Sequence, residues 1–443
     1  MPIKSPFANR HFGTDPVAMQ PSGQTARGRF CLRQGQFEQG HLRRAGIGRG
    51  NRERTPAVRE MARPSYRIGL MFSTTGPYST VAGAMLNGAL LAVSEIGEAG
   101  PVELVPVVVD PGGDLSRYTA LSGQLLAEGV RHVVGCYTSS SRKEVIPCFE
   151  KHDGMLWYPS HYEGFESADN VVYTGAAPNQ HILPLIDYLM STFGDRAFCV
   201  GSNYIWAWEN SRILRETVTA RGGTVVAERY LPVGETDLRK LVDAVIEARP
   251  SFVFSSLIGV SGLAFLSALR HACLARGIDQ PGTMPVASCN LSEPDLDELE
   301  PEARDGHISS SVYFSALRSP VNDAFVSRHA AAYPSAPLTS ADAEASYIAV
   351  KLLAGALAEA GTDEILAVKA AVARQRLAAP QGDVWVDAET MHLHLTPRIG
   401  RSRGTEFDII REEPAPIRPD PYLVRSSPTD SWFASAPRLR VAK

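Results

Sequence analysis

From Tyr66 onward, short runs of β-branched and aliphatic residues alternate with longer stretches whose apolar positions recur every three to four residues. The runs YRIGLMFS (66–73), VELVPVVVD (102–110), RHVVGC (131–136), GMLWY (154–158) and NVVYTG (170–175) predict strands, with helices over 81–98, 115–129 and 139–151 between them. A second series follows, with strands RAFCVGS (196–202), GTVVAERYL (223–231), SFVFSSL (251–257) and TMPVAS (283–288), and helices over 206–221, 236–248 and 260–276. Near-continuously apolar strands separated by helices imply parallel sheets covered on both faces. Two such series imply an α/β protein with two doubly wound parallel-sheet lobes.

After HISSSVYFS (307–315), three helices are predicted near 320–333, 340–360 and 363–376, then a hairpin of GDVWVD (382–387) and MHLHLTPRI (391–399). Alternation in the last strand puts His392 and His394 on one face; without a carboxylate or Cys at ligand spacing they are expected to face solvent rather than bind a metal. The Pro-rich segment EEPAPIRPDPYLV predicts an extended strap.

Composition refines this picture at the N-terminus. Residues 1–60 hold eleven Lys and Arg against four Asp and Glu, a formal +7 in a chain of net −4, so the remainder carries −11. An acidic body does not suggest a nucleic-acid groove. The basic segment has no apolar periodicity, and residues 1–64 are expected to be a disordered extension or the product of a start placed too far upstream. It also lacks the apolar run of a secretory signal. No apolar run of membrane-spanning length is read anywhere. Six cysteines without a C-x-x-C pair suggest reduced thiols.

Enzyme templates find little support. Ser140-Ser141-Arg142-Lys143 matches S-x-x-K without its companion motifs, and no P-loop, H-E-x-x-H or G-x-S-x-G is present. Gly46, Gly48 and Gly50 follow no strand. Asp110-Pro111-Gly112-Gly113-Asp114 reads as a strand end and turn, with Asp114 capping the next helix. Arg142 and Lys143 are expected on a solvated face. The candidate chemistry lies where strands run into helices: Gly135 to Ser139, with Ser139 or Ser140 near the helix cap; Trp157 to Tyr162; and Ser202 to Trp206. These aromatic, hydroxyl-bearing loops describe either a small pocket or an interlobe core.

The segments DPGGDLSRY, VGCYTSSSRKEVIPCFE, WYPSHYEGFE, NVVYTGAAPNQ, GSNYIW and PIRPDPY together resemble the AmiC-like amide-binding negative regulators of aliphatic amidase operons. The resemblance is collinear from about Ser65 to Tyr422 and is shared with urea and short-chain amide transporter binding proteins. It implies a type I periplasmic binding protein clamshell with three crossovers. By motif it assigns ligand contacts to Tyr137, Ser139, Tyr158, Ser160, His161, Tyr204, Trp206, Val260 and Asn290. Ser160, His161, Trp206 and Val260 depart from the regulator's Thr, Pro, Tyr and Thr, which implies a ligand more polar than acetamide. No carboxylate or cation is expected among these contacts.

The resulting expectation is a cytoplasmic sensor that binds a small neutral amide or urea-like ligand and controls amidase expression through an RNA-binding antitermination partner. The alternative is a periplasmic binding component of an ABC transporter for urea or short amides. No catalysis, cofactor, metal, membrane span or direct nucleic-acid binding is expected; self-association is left open. The lobes are expected to comprise residues 65–176 with 314–380, and 177–313 with 381–443. A chain starting at Met61 should melt and bind ligand as the full chain does, which thermal denaturation and calorimetric titration of the two will check.

Overall fold

The computed structural model describes residues 63–432, so the readings made for the basic segment and Cys31 lie outside it. The first sheet has strands β1 (Ser65–Met71), β2 (Glu103–Val109), β3 (His132–Gly135), β4 (Met155–Tyr158) and β5 (Val171–Tyr173), in the order β2-β1-β3-β4-β5, all parallel. Helices α1 (Ser79–Ala99), α2 (Leu115–Ala127) and α3 (Ser139–Lys151) connect them. The second sheet follows α4 (Ile182–Thr192). Its parallel strands β6 (Arg196–Ser202), β7 (Thr224–Leu231), β8 (Phe252–Ser256), β9 (Val286–Ser288) and β10 (Ile308–Ser311) are linked by α5 (Ile205–Ala220), α6 (Arg239–Ala248), α7 (Val260–Leu274) and the short helices α8 (Gln280–Thr283), α9 (Glu293–Glu298) and α10 (Pro301–Arg304).

The chain then returns to the first sheet with α11 (Pro320–Ala332), α12 (Ala341–Ala360) and α13 (Ile365–Val372). A small antiparallel sheet follows: β11 (Arg376–Ala379), β12 (Gly382–Val386) and β13 (Leu393–His394). A third crossing delivers β14 (Arg398–Arg403) and β15 (Glu406–Glu412), which join the second sheet antiparallel beside β10. The hairpin expected over 382–399 forms in its inner part, where β12 pairs antiparallel with β13; β11 adds a strand on the other side of β12, and Arg398 onward turns into a different sheet.

Strand alternation decides which helices cover which face. On β1, Ile68 and Leu70, with Phe72 just past its end, pack with the α1 and α12 side, while Met71 joins Leu125, Val145 and Phe149 on the α2 and α3 side. On β6, Ala197 and Cys199 share a cluster with residues of α4 and α5, while Phe198 and Val200 pack with Val242 and Phe265. Helix α4 was missed because ILPLIDYL is buried almost all round, which erases the helical stripe. Helix α1 has the length and apolar composition of a membrane span, contrary to the sequence reading. Its buried face packs on α12, where a Cβ on Gly88 would lie 2.1 Å from the Ala343 carbonyl oxygen; α1 is a core helix.

His392 is also corrected. It is fully buried, stacked on Tyr173 with ring centroids 4.0 Å apart, and accepts the Tyr162 hydroxyl at 2.6 Å. Its partner His394 is half-buried, stacked on Trp385 and 3.6 Å from Asp387. No group of residues that could hold a metal occurs among the described residues. The strap is present: Ile417 pairs with Leu395, and Asn179 and Gln180 bond to the carbonyls of Arg418 and Ile417. The five described cysteines are free thiols, and Asp114 caps α2 through the Ser116 amide.

Burial holds His181 and His392 at about 3 and His132 and His307 at about 4, and pushes Asp295 up to about 6, Glu293 to about 7 and Glu344 to about 8. The histidines are neutral when folded but protonate in the unfolded chain below about pH 6.5, so stability falls as pH drops from there towards 4. The carboxyls are protonated when folded but ionised in the unfolded chain above about pH 4.5, so stability also falls as pH rises through 6 to 8. The four histidines outnumber the three carboxyls where the windows overlap. The melting temperature should peak between about pH 6 and 7. Glu344→Gln should flatten the alkaline limb, measured by scanning calorimetry across the range.

Candidate functional site

The carboxyl ends of both parallel sheets face one cleft, where parallel α/β sheets expose their loops and helix N-termini. After β3, Cys136 takes a left-handed backbone (φ 65°), a conformation uncommon outside glycine that turns the chain sharply before Tyr137. Thr138, one residue earlier than expected, caps α3 by accepting the Ser141 amide at 3.2 Å. After β4 the chain continues through Pro159, Ser160 and His161. On the opposite side, Tyr204 is the extended residue at the start of α5, and Trp206 lies in its first turn.

Tyr137, Ser139, Ser160, His161, Tyr204 and Trp206 line, with Ile258, one small cavity. Six of the nine residues singled out from sequence therefore meet. Tyr158 stands behind the wall, its hydroxyl donated to the Tyr137 carbonyl at 2.7 Å. Val260 is 45% exposed at the start of α7 and lines none of these cavities; Ile258, two residues earlier, fills its place. Asn290 lines a neighbouring chamber instead.

The cleft is closed. A Cβ on Gly259 would lie 2.2 Å from the Pro77 carbonyl oxygen, so the loop after β8 meets the start of α1 backbone to backbone. Thr80 of α1 also donates to Glu298 of α9. Within the first lobe, a Cβ on Gly175 would lie 2.0 Å from the Ser160 carbonyl, so only glycine lets the 159–162 loop settle against the end of β5.

Charge lies closer to the cavity than the sequence reading held. Arg142 is fully buried, not on a solvated face. It meets Glu163 at 3.0 Å and Glu166 at 2.7 Å, and stacks over the rings of Tyr158 and Tyr162 at 4.8 and 4.6 Å. Lys143 joins Glu166 at 2.7 Å. Burial alone would raise the Glu166 carboxyl, but the adjacent cations outweigh it and hold it at about 2. Ser139 donates its hydroxyl to Glu163 and accepts Arg142 at 3.3 Å. Ser160 donates to Asp342 at 3.2 Å, and His161 Nδ1 lies 3.7 Å from the same carboxylate. Both cations are thus neutralised by glutamates, and Asp342 leaves the cleft acidic. The buried indole N–H of Trp206 has no protein partner. No hydrogen bond within the described residues engages the hydroxyl of Tyr137 or Tyr204.

His161 also borders a second chamber, at the crossings between the sheets, lined by Gly175, His181, Asn290, Ser310 and Asp342 among others. Sequence reasoning missed Glu163, Asp342, His181 and Ile258. A signal was available for Glu163, which lies inside the WYPSHYEGFE motif.

Two α/β sheets joined by three crossings and closed over a small polar cavity define a two-lobed binding protein. The chain belongs to the periplasmic binding protein domain family, whose pattern matches residues 66–428. A 103-residue stretch is 30% identical to the leucine-, isoleucine-, valine-, threonine- and alanine-binding protein of Pseudomonas aeruginosa, covering 23% of this chain and 28% of that protein. A 205-residue stretch is 22% identical to a Leu/Ile/Val-binding protein of Rhizobium johnstonii, covering 45% and 56%. These matches span well under two thirds of either relative.

Solved structures of similar fold include an ABC transporter solute-binding protein of Rhodopseudomonas palustris HaA2 with p-hydroxybenzoic acid (TM-score 0.73, 20% identity, 82% of this chain and 100% of that one). Another from R. palustris holds benzoate (TM-score 0.72, 20% identity, 80% and 98%). The branched-chain amino acid binding protein LivJ of Streptococcus pneumoniae holds isoleucine (TM-score 0.69, 18% identity, 80% and 100%). At these identities the likeness is one of fold.

Gly259→Ala should hold the lobes apart, because its Cβ is accommodated only by withdrawing the Pro77 loop. We expect a larger radius of gyration in solution scattering and ligand affinity at least about tenfold weaker. About 1–3 kcal/mol of stability should be lost, from the strained backbone.

Proposed function

We propose that this chain is a sensor for a small neutral amide- or urea-like molecule, held between Tyr137, Ser139, Ser160 and His161 on one side and Tyr204 and Trp206 on the other. The observation that carries the reading is the state of the polar groups at the cavity. The cations beside it are paired, Glu163 backs the Ser139 hydroxyl, and the free groups are two tyrosine hydroxyls and an indole N–H. A carboxylate ligand at Ser139 would face Glu163 with no spare cation. A neutral head offering one acceptor and two N–H donors suits tyrosine and serine hydroxyls, the indole N–H and the amides opening α3. Seven side chains line the whole cavity, which favours a molecule of few heavy atoms.

The sequence resemblance extends the reading to a cytoplasmic negative regulator of amidase expression that acts on an RNA-binding antitermination partner. A second reading, an extracytoplasmic transport receptor, is favoured by the relatives and structural neighbours, which are solute-binding proteins. Fractionation of native cells separates the two: cytoplasmic recovery supports the sensor, release with the periplasm the receptor.

Calorimetric titration tests the ligand class. Acetamide, propionamide or urea should bind at least tenfold tighter than benzoate or isoleucine. Tyr204→Phe should weaken the amide by about 1–2 kcal/mol while leaving the unliganded melting temperature nearly unchanged. Tighter binding of benzoate or isoleucine would reverse the assignment.

A further inference from the structure

The chamber at the crossings presents acceptors. His181 is 1% exposed; its Nε2 meets the Tyr162 carbonyl at 2.9 Å and so carries the proton, leaving Nδ1 as a buried acceptor with no protein partner. Burial keeps this ring neutral, with the neighbouring His161 acting in the same direction. Asn290 directs its amide N–H to the Leu257 carbonyl at 2.9 Å, which leaves its Oδ1 buried and unpartnered. Asp342, in the first turn of α12, adds a carboxylate whose Oδ1 meets only Ser160 and His161. Ser310 and Ser311, also on the wall, spend their hydroxyl protons on the carbonyls of His181 and Tyr313. The chamber therefore holds three acceptors and no Lys or Arg, and shares the His161 wall with the cavity that faces Ser139 and Tyr204.

We propose that the ligand extends from the amide cavity into this chamber and carries there a cationic, donor-only group, an ammonium set against Asp342, His181 Nδ1 and Asn290 Oδ1. An ammonium has three donors and no acceptor, which matches three acceptors on the wall. A neutral alkyl end would leave two buried acceptors unpaired, and a carboxylate would meet Asp342. The ligand class is thus the short ω-amino amides. The inference rests on the amide reading and narrows it.

The test is calorimetric titration with isosteric pairs that share the amide head: glycinamide against propionamide, β-alaninamide against butyramide, and longer homologues, with succinamate as the anionic control. At least one ω-amino amide should bind ten or more times tighter than its alkyl isostere at pH 7, and succinamate more weakly than either. In Asp342→Asn, and separately in Asn290→Ala, the ratio of the two affinities should shrink to threefold or less. The comparison in the unaltered protein stands even if a variant fails to fold. Alkyl amides that bind as tightly as their amino isosteres overturn the inference and leave the amide reading intact. An ammonium preference undiminished in Asp342→Asn also overturns it. Binding of neither set refutes the amide reading, and the inference with it.

Discussion

A guanidinium with no contact with water persists in a fold only if its charge is answered on the spot, and Arg142 is answered by the loop that builds the cleft. Removing one partner of such a buried pair costs about 3–5 kcal/mol, because the remaining charge is stranded. Glu163 and Glu166 are therefore not free to drift from α3, and the loop between them and β4 is fixed with them. The same guanidinium lies over Tyr158 and Tyr162, and Tyr162 reaches His392 beside the small third sheet. Ser139 is oriented by Glu163 on one side and Arg142 on the other. One buried cation thus locks a helix N-terminus, two tyrosines and a distant strand into a single arrangement, with the cavity on its open side.

The elements were legible because their boundaries rest on local chemistry. Helix α3 was expected over 139–151 and spans Ser139–Lys151, and β6 was expected over 196–202 and spans Arg196–Ser202. The loops that converge on the cavity were legible for a related reason: parallel strands end at the cleft, so residues just past β3, β4 and β6 must face it. What was not legible depended on partners far along the chain. Arg142 and Lys143 look like solvated charges until Glu163 and Glu166 are folded against them. Period-two alternation assigned His392 and His394 to one face but could not say that Tyr162 and Tyr173 cover the first. Asp342 reads locally as an acid suited to a helix first turn, and only the tertiary fold places it against Ser160.

Close backbone approach is the second organising theme. Gly88, Gly175 and Gly259 each stand where a single added carbon would strike main-chain atoms, at the α1–α12 contact, beneath the cleft loop and across the closed lobes. The main chain cannot move aside as a side chain can, so these three joints set distances that the surrounding side chains only fill. Two of the joints hold residues of the cavity wall in place: Gly175 packs against Ser160, and Gly259 directly follows Ile258.

The strap gives the hinge a mechanical character. Gln180, on the first crossing, donates to the carbonyls of both Leu393 and Ile417, and Asn179 grips Arg418 and Asp420. The outgoing chain, the returning chain and the tail are thereby laminated, like the plies of a leaf spring. Three stretches far apart in sequence are therefore held in one register where the chain passes between the lobes.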